Sequence, residues 1–510
     1  MQKPVSKILI GAVLAGISIC LALILVSRWK PQEKHPDAAY LALLREAYST
    51  VTKSYVDKPD DKKLVKSMVD GMLAALDPHS AYLPPEPYKE MEIQMSGSFG
   101  GVGIELGMKE GRLTVISPID DTPAFRAGIQ ANDHIWKIDG VTTRGMNITA
   151  AVKRMRGEKG IPVTLTILRG DSSKPLTFNL IRDIIKIKSL KSRMLDQGYG
   201  FIRVAQFQER TGIEFRQALQ DLHTASGGTL KGLVIDLRYN PGGVLGPCIE
   251  VANCFIGDDI TNSLIVSTKG RLPESNRAFN ATLGTKEPRY PIVVLINGGS
   301  ASASEIVAGA FQDHKRAIIM GKQSFGKGSV QSIFPMRGNA ALKLTTARYY
   351  TPSGRSIQAK GIVPDIVVDS VKPVPAKGSA DRGFNENDLD NRLAPEGGKE
   401  PINKEVAPAK KPAPVPAIHK AAPGTPHAGT ADVGLDKDYQ LNRALELLRS
   451  LSLIKEQGFN PPITEFRIGR GCGRPASTAH PGSKGKPPRR LTGNRWSGLH
   501  PTPTGRGLSS

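Results

Sequence analysis

Apolar side chains recur with two different periods in the N-terminal part of this chain. In residues 40–55 and 64–76 they return every three or four positions, which predicts two amphipathic helices. The stripe on the first of these helices consists of Leu41, Leu44, Tyr48 and Val51. Residues 97–184 instead contain short β-branched runs between glycine turns, with two short helical patterns, and predict one small β-rich unit.

Residues 185–370 have the pattern of a larger α/β domain. Tyr290–Asn297 is apolar almost throughout, as expected for a strand that is covered on both faces. Glycines then turn the chain into a helical pattern over residues 303–312, and a second short strand follows at 317–320. Residues 230–243 begin with another buried strand, which ends in a proline–glycine turn.

The two ends of the chain differ from this body. Ile8–Val26 has 19 residues without a charge, and at about 1.5 Å per residue such a helix can cross a bilayer. No small-residue cleavage site follows, so residues 1–30 are predicted to be a membrane anchor, with a cleaved signal segment as the alternative. Residues 371–435 are rich in proline, alanine and lysine and predict a linker, 436–457 predict a helix, and 458–510 predict a disordered basic tail.

Composition and charge narrow the range of partners. The chain has 510 residues, with 69 lysines and arginines against 47 acidic residues, and a net charge of +22. Nine of the basic residues lie in 466–510, which has no acidic residue, and no basic helix interleaved with aromatics occurs elsewhere. Nucleic acid is therefore not a predicted partner. The four cysteines have neither disulfide nor metal-site spacing, and no metal or cofactor is predicted.

A serine at the start of the helix over residues 303–312 allows two interpretations. Ser302 and Glu305 have the spacing of a capping box, in which the serine only caps the helix. Alternatively Ser302 is a nucleophile, because a free N–H group at a helix start, here that of Ala303, can bind a developing oxyanion. Lys327 follows between two glycines, and a buried lysine loses its proton readily enough to act as the base. Gln331 can hold the lysine amine by a hydrogen bond without adding charge.

Three competing interpretations concern neighbouring residues. Residues 321–327 read G-x-x-x-x-G-K, but Gly328 replaces the hydroxyl residue of a phosphate-binding loop and a strand pattern follows, so nucleotide binding is not predicted. His314 is an alternative base twelve residues after the serine, although a helix of that length is about 18 Å long. His79, in the turn after the second helix, is interpreted as stabilising that turn and not as catalytic.

Two segments, SASASE at 300–305 and FGKGSVQ at 325–331, closely resemble the carboxy-terminal processing, or tail-specific, proteases. The resemblance extends over roughly residues 40–370. It implies a catalytic set of Ser302 as nucleophile, Lys327 as base and Gln331. In this family a glycine of the segment LKGLVIDLRYNPGG supplies the second N–H of the oxyanion hole beside Ala303, which places it at Gly242, with Gly243 as the fallback.

The order of elements in residues 97–184 is similar to that of PDZ domains, which bind a peptide C-terminus as an added strand. This resemblance implies a carboxylate and side-chain site formed by Gly101, Val102, Gly103 and Ile104. Arg156, at the end of the second short helix, is expected to sense bound peptide and to couple the unit to the larger domain. The alternative is that Arg156 contacts only the carbonyls at the end of its own helix.

The expected architecture is an α/β protein with a crotonase-like serine protease core at 185–370, a PDZ domain at 97–184 and N-terminal helices at 31–96. The expected activity is that of a serine endopeptidase that binds protein C-termini and cleaves envelope or periplasmic proteins from or near that end. The resemblance also implies a homo-oligomer, with an adaptor protein as a further candidate partner. The body is expected in the periplasm, anchored at the cell inner membrane, or secreted there if the N-terminus is cleaved. The alternative function is a catalytically silent PDZ scaffold that only binds C-termini.

Overall fold

The computed structural model describes residues 37–170, 174–257, 263–369, 385–394 and 438–457. The predicted membrane segment Ile8–Val26 and the basic tail at 458–510 lie outside these ranges. None of the helices within the described ranges is long and apolar enough to span a membrane.

The N-terminal region contains both predicted helices. Its elements are α1 (Asp37–Ser54), α2 (Asp61–Ala74), β1 (Ala81–Leu83) and α3 (Pro85–Ser96). Asp60 caps α2, because its carboxylate accepts hydrogen bonds from the N–H groups of Lys62 and Lys63. The apolar stripe of α1 is uncovered, with 63% of Leu41 and 48% of Leu44 exposed.

Residues 98–186 form the predicted β-rich unit. Its elements are β2 (Ser98–Gly101), β3 (Ile104–Lys109), β4 (Arg112–Pro118), α4 (Pro123–Arg126), β5 (His134–Ile138), β6 (Val141–Thr142), α5 (Ile148–Met155), β7 (Pro162–Leu168), β8 (Leu176–Ile181) and β9 (Asp183–Lys186). Five strands pair in the order β3-β4-β5-β7-β8, β6 pairs with β5, and β2 pairs separately with β9. Alternate residues of β7, namely Val163, Leu165 and Ile167, face one aliphatic core.

The larger domain is an α/β structure. Its elements are β10 (Leu190–Asp196), β11 (Tyr199–Val204), α6 (Thr211–Ala225), β12 (Gly232–Asp236), α7 (Leu245–Asn253), β13 (Leu264–Gly270), β14 (Arg277–Asn280), β15 (Ile292–Ile296), α8 (Ala303–Asp313), β16 (Ile318–Gly321), β17 (Ser329–Met336), β18 (Ala340–Tyr350), β19 (Ile366–Val367) and α9 (Tyr439–Glu456). Short 3-10 helices lie at Pro273–Ser275 and Glu386–Asp388. Six strands form one sheet in the order β10-β11-β12-β15-β16-β19, parallel except for β10.

Both faces of this six-stranded sheet are covered, which explains why its strands are apolar throughout. Leu233 and Ile235 of β12 pack in one core with residues of α6, α7 and α8. Val234, between them, points to the other face and packs with Leu441 and Leu448 of α9. The predicted α/β class is confirmed, and a crotonase-like core remains a prediction.

A second sheet joins the N-terminal region to the larger domain. β18 pairs with β1, β13 and β17, and β13 pairs with β14. The turn before β1, at residues 77–80, is thereby brought next to strands β17 and β18.

The predicted linker at 371–435 needs correction at residues 385–394. This segment is held against the larger domain, and Glu386 within it is fully buried. Its polar composition is that of a linker, but residues distant in sequence, including His79 and Gln358, bind it by hydrogen bonds. Sequence periodicity carries no signal for contacts of this kind.

Candidate active site

Ser302 lies in a strained turn between β15 and α8. Its backbone has φ 56° and ψ −114°, an unusual conformation for a residue with a side chain. Hydrogen bonds hold the turn on both sides, since the Ala301 N–H and the Ser304 hydroxyl both donate to the carbonyl of Asn240, at 3.0 and 2.9 Å. Ser302 itself is 7% exposed. The turn therefore presents one nearly buried hydroxyl at the start of a helix.

The Glu305 carboxylate connects this turn to the predicted lysine. It accepts hydrogen bonds from the N–H groups of Ser302 at 2.8 Å and Lys327 at 2.9 Å. It also accepts from the Gly326 N–H at 2.7 Å and the Ser324 hydroxyl at 2.6 Å. Burial raises the pKa of Glu305 to about 7, although these four hydrogen bonds lower it. Glu305 therefore does more than cap α8, because it ties together two segments that the sequence separates.

The Lys327 amine is suited to act as a base. Burial lowers its pKa to about 8, and the charge of Lys343 on β18 acts in the same direction. The carboxylates of Glu386, Glu305 and Asp77 oppose this shift. A substantial fraction of the amine is therefore neutral near pH 8, which a general base requires.

Gln331 lies on β17, in a network that leads back to the N-terminal region. Its amide nitrogen donates to the hydroxyls of Ser329 at 2.9 Å and Thr345 at 3.2 Å. The Thr345 hydroxyl in turn donates to the Asp77 carboxylate at 3.1 Å. This orientation turns the amide nitrogen to the two hydroxyls and leaves the amide oxygen as the acceptor that Gln331 can offer to an amine.

The N–H of Gly242, the residue predicted to complete the oxyanion hole, has a hydrogen-bond partner within the protein. This N–H donates to the Asn240 side-chain oxygen at 2.9 Å and is not free for a substrate. Gly243 pairs with Phe207 in a parallel bridge. Its hydrogen bonds run from the Phe207 N–H to the Gly242 carbonyl and from the Val244 N–H to the Phe207 carbonyl, so the N–H of Gly243 points away from Phe207. The Ala303 N–H has no hydrogen-bond partner among the described residues. The fallback Gly243 is therefore the better candidate beside Ala303.

Gly242 still has a steric function in this site. Its backbone has φ 100°, and a Cβ placed there would lie 2.8 Å from the Ser302 Cβ and 2.9 Å from the Ala303 nitrogen. A side chain at residue 242 is therefore excluded by both conformation and space.

Tyr349 on β18 is a neighbour of Ser302 that the sequence did not indicate. Its phenol is buried in the core, and burial raises the pKa of Tyr349, whereas a hydrogen bond with the Ser302 side chain lowers it. Tyr349 stays protonated at neutral pH and can orient the serine hydroxyl.

His314 is excluded as the base of this site. It follows the last residue of α8, whereas Ser302 precedes the first, and an eleven-residue helix is about 16 Å long. The His314 ring nitrogen Nε2 lies 2.6 Å from the carbonyl oxygen of Leu264, a structural contact.

The residues predicted to bind a peptide C-terminus lie together where β2 passes into β3. The carbonyls of Val102 and Gly103 accept from the N–H groups of Ala124 and Ile119, both at 2.9 Å, which fixes this loop. Gly103 has φ 80°, and a Cβ there would lie 2.3 Å from Thr122. β3 is the last strand in its sheet order, so one of its edges has no strand partner in the part of the chain that the structure describes.

Arg156 makes contacts outside its own helix. Its guanidinium donates to the Glu90 carboxylate on α3 at 2.7 Å and lies 4.5 Å from the ring centre of Phe99. The carbonyls at the end of α5, those of Arg154 and Met155, accept instead from Arg182 at 2.7 and 3.0 Å. The Arg156 guanidinium therefore does not bind the carbonyls of its own helix, as the alternative interpretation expected. It contacts α3 instead, and the coupling role stays a prediction.

Comparison with known proteins places this chain. The family models described as Peptidase family S41, PDZ domain and Activating protease CtpB N-terminal domain match residues 198–368, 100–180 and 26–86. The chain is 50% identical over 339 residues to the carboxy-terminal-processing protease of Bartonella bacilliformis, an alignment that covers 66% of this chain and 77% of that protein. The chain belongs to the carboxy-terminal processing proteases of peptidase family S41.

Two further relatives have similar names. This S41 protease is 33% identical over 381 residues to the carboxy-terminal processing protease CtpB of Bacillus subtilis, covering 72% of this chain and 78% of that protein. A solved photosystem II D1 C-terminal processing protease is 29% identical, with 64% of this chain and 92% of that chain covered and a TM-score of 0.38.

Several residues around the site of this S41 protease escaped sequence reasoning. The sequence indicates Glu305 only as a helix cap, and it does not single out Asp77. Thr345 and Glu386 carried no signal, because one lies in an alternating strand and the other in a polar stretch. Contacts between distant segments bring Glu305 to the main chain of Lys327, Thr345 and Asp77 to Gln331, and Glu386 to Gln358.

Proposed function

We propose that this chain is a serine endopeptidase that cleaves protein chains at or near their C-termini, with Ser302 as nucleophile and Lys327 as general base. The observation that carries the proposal is the Glu305 carboxylate, which holds the N–H groups of both residues at 2.8 and 2.9 Å. Burial, which lowers the pKa of Lys327 to about 8, supports the same assignment.

The chemistry follows that of other serine–lysine sites. Neutral Lys327 takes the proton of the Ser302 hydroxyl while the serine oxygen attacks the carbonyl carbon of the scissile bond. The oxyanion of the tetrahedral intermediate accepts hydrogen bonds from the N–H groups of Ala303 and Gly243. The Lys327 ammonium then protonates the leaving amine, which departs and leaves an ester on Ser302. Water, deprotonated by the same amine, hydrolyses the ester, and Gln331 holds the amine through its side-chain oxygen.

The PDZ domain supplies the preference for C-termini in this proposal. The peptide adds as a strand to the open edge of β3, and its carboxylate binds the loop at residues 101–104. The Arg156–Glu90 contact supports a coupling to the rest of the enzyme, because α3 precedes the PDZ domain and is covalently continuous with β1.

Self-association is a further part of this proposal. The exposed stripe on α1 includes Leu41 and Leu44, and apolar side chains so placed favour a second copy or another protein. Sedimentation of the purified protein with and without charged substitutions at these two positions tests the homo-oligomer. The envelope substrates, an adaptor, and the placement of the body in the periplasm at the inner membrane are carried over from the family expectation.

A comparison of the enzyme with its Ser302→Ala variant distinguishes the endopeptidase from a silent PDZ scaffold. Purified enzyme and variant are incubated with an unstructured protein that ends in an apolar residue, and products are identified by mass spectrometry. We expect cleavage only by the enzyme with Ser302, and binding of the C-terminus by both proteins. Binding without cleavage by either protein would favour the scaffold.

A further inference from the structure

A segment beyond the S41 family match lies against the loop that carries Lys327. We call residues 385–394 the latch segment and residues 322–328 the lysine loop. The latch segment follows the family match, which ends at residue 368. The Glu386 N–H donates to the carbonyl of Phe325 at 3.2 Å, so the two segments are joined through their main chains.

The side chain of Glu386 reaches the other side of the lysine loop. Its carboxylate, which is fully buried, accepts from the Gln358 amide nitrogen at 2.9 Å. The Gln358 side-chain oxygen accepts from the Gly328 N–H at 2.9 Å. Glu386 is thus connected to the main chain on both sides of Lys327, at Phe325 through its own N–H and at Gly328 through Gln358.

The same carboxylate is bound by the N-terminal region. His79 Nε2 lies 2.8 Å from one Glu386 oxygen and 3.0 Å from the other. His79 belongs to the turn at residues 77–80, whose Asp77 accepts from the Thr345 hydroxyl that also accepts from Gln331. The turn at residues 77–80 therefore contacts the surroundings of Gln331 through Thr345, and those of Lys327 through Glu386 and the lysine loop.

Packing alone does not explain a carboxylate at this position. Burying a charge is costly unless donors surround it, and an apolar side chain of similar size often fills such a place at least as well. The donors that offset the cost here are His79 and Gln358, and Gln358 is itself bound to the lysine loop. The charge is thus placed where it can order the main chain beside Lys327.

We propose that Glu386 is a positioning residue for Lys327, which sets the conformation of the lysine loop through its hydrogen bonds with Phe325, Gln358 and His79. This inference rests on the proposed function, in which Lys327 is the base. It assigns to the latch segment, outside the S41 match, a part in the catalytic framework.

The charges around Lys327 give the proposal a signature in the pH profile. Besides burial, Lys343 on β18 lowers the pKa of Lys327, and Glu386, Glu305 on α8 and Asp77 in the turn raise it. Loss of the Glu386 charge therefore lowers the pKa of Lys327 and makes the amine neutral at lower pH. Loss of position, in contrast, reduces turnover at every pH.

The test compares Glu386→Gln with Asp390→Asn in the full-length protein. Asp390 is exposed on the same latch segment, so its substitution removes the same charge without the buried contacts. Glutamine at residue 386 removes the negative charge. Its amide oxygen can replace the one carboxylate oxygen that both His79 and Gln358 contact, but its amide nitrogen then takes the place of the second oxygen, 3.0 Å from His79 Nε2. We expect kcat to fall about ten- to a hundredfold, the range for a catalytic group displaced by about 1 Å. The KM should stay unchanged and the acidic limb of the kcat profile should move to lower pH, whereas Asp390→Asn should match the unmodified enzyme.

A second pair of variants keeps the proposal testable if Glu386→Gln does not fold. His79→Gln retains a side-chain donor toward Glu386 and His79→Leu removes it. We expect His79→Gln to keep most of the turnover and His79→Leu to lose it, and the double variant with Glu386→Gln should be no worse than the worse single one.

Three results would overturn the inference. One is a kcat for Glu386→Gln equal to that of Asp390→Asn. Another is a fall in the kcat of Glu386→Gln that matches the fraction of unfolded protein in a thermal melt, while the acidic limb of its kcat profile stays at the same pH. A third is full turnover by Lys327→Ala, which removes the base assignment and the positioning role together. Normal dependence on Lys327 with an indifferent Glu386 would overturn only the present inference.

Discussion

The PDZ domain and the protease domain bury charged groups with different consequences. In the described part of the PDZ domain these groups are Asp133 and Arg182. Asp133 pairs with Arg169 at 2.7 Å, and Arg182 binds carbonyls at the end of α5, so both act within their own fold. In the protease domain three carboxylates are fully buried. Asp236 pairs with Arg203 and Arg238, whereas Glu305 and Glu386 each bind the lysine loop. Buried charge therefore acts within the fold in both regions, and only in the protease domain do two buried carboxylates also bind the loop that carries Lys327.

The difference extends to the edges of the two sheets. The PDZ sheet ends at β3, and no other strand of the described residues pairs with the outer edge of β3. The protease sheet has both faces covered, and its polar groups converge at the turn that follows β15. Substitutions in the first region should change stability and the response to peptides, and substitutions in the second should change turnover. Four experiments test this contrast.

The largest effect is expected at Lys327. Lys327→Ala should abolish proteolysis, a loss of about a thousandfold or more, because the Ser302 hydroxyl then lacks the amine that is proposed to deprotonate it. Lys327→Arg should fail equally, since a guanidinium is not deprotonated in proteins. Peptide cleavage and circular dichroism together measure the loss and confirm the fold. An active Arg variant would rule out a lysine base.

The next effect concerns pH. Only neutral Lys327 is a base, and because burial lowers its pKa to about 8, activity should rise with pH up to that value. Below it, kcat should fall about tenfold for each pH unit. The rate of peptide cleavage against pH measures this limb. A limb near pH 6–7 would instead indicate a histidine base or the titration of Glu305, whose pKa burial raises to about 7.

Substitution of one buried carboxylate in each domain, Glu305 and Asp133, compares the two regions directly. Glu305→Gln leaves one side-chain acceptor for four donors, and we expect kcat to fall roughly ten- to a hundredfold as Ser302 and Lys327 lose their common anchor. Asp133→Asn breaks the buried pair with Arg169, and should cost about 1–3 kcal/mol of PDZ stability with basal kcat unchanged. Thermal melts and steady-state kinetics of both variants give the comparison. Equal effects on turnover would refute the division between the regions.

The smallest effect is expected at the contact between the PDZ domain and α3. Peptides with a free C-terminal carboxylate should stimulate cleavage of a second reporter a few-fold more than their amides, as coupling of about 1 kcal/mol allows. Arg156→Gln should remove this difference, because its partly buried pair with Glu90 is lost. Lys153→Gln is the matched control, since its pair with Glu86 joins the same two helices but is exposed. Equal stimulation by carboxylate and amide in the intact enzyme would contradict the coupling.

Sequence patterns predicted most of the helices and strands. Helices α1, α2, α8 and α9 and the order of the PDZ strands agree with the predictions, and Ser302 does precede α8. The structure differs from the expectations where a backbone group already has a hydrogen-bond partner within the protein. Gly242 has the conformation of a turn glycine, but its N–H is bound by Asn240, and Arg156 leaves its helix carbonyls to Arg182.

The sequence by itself determined what depends on neighbours along the chain. The apolar periods, the glycine turns and the serine before a helix are local, because hydrogen bonds and steric limits act over three or four residues. The tertiary structure alone decided which distant groups meet. Glu305 binds Lys327 across 22 residues, and His79 binds Glu386 across 307. Such buried contacts depend on the burial and geometry of both partners, and no pattern within a short window of the chain specifies them.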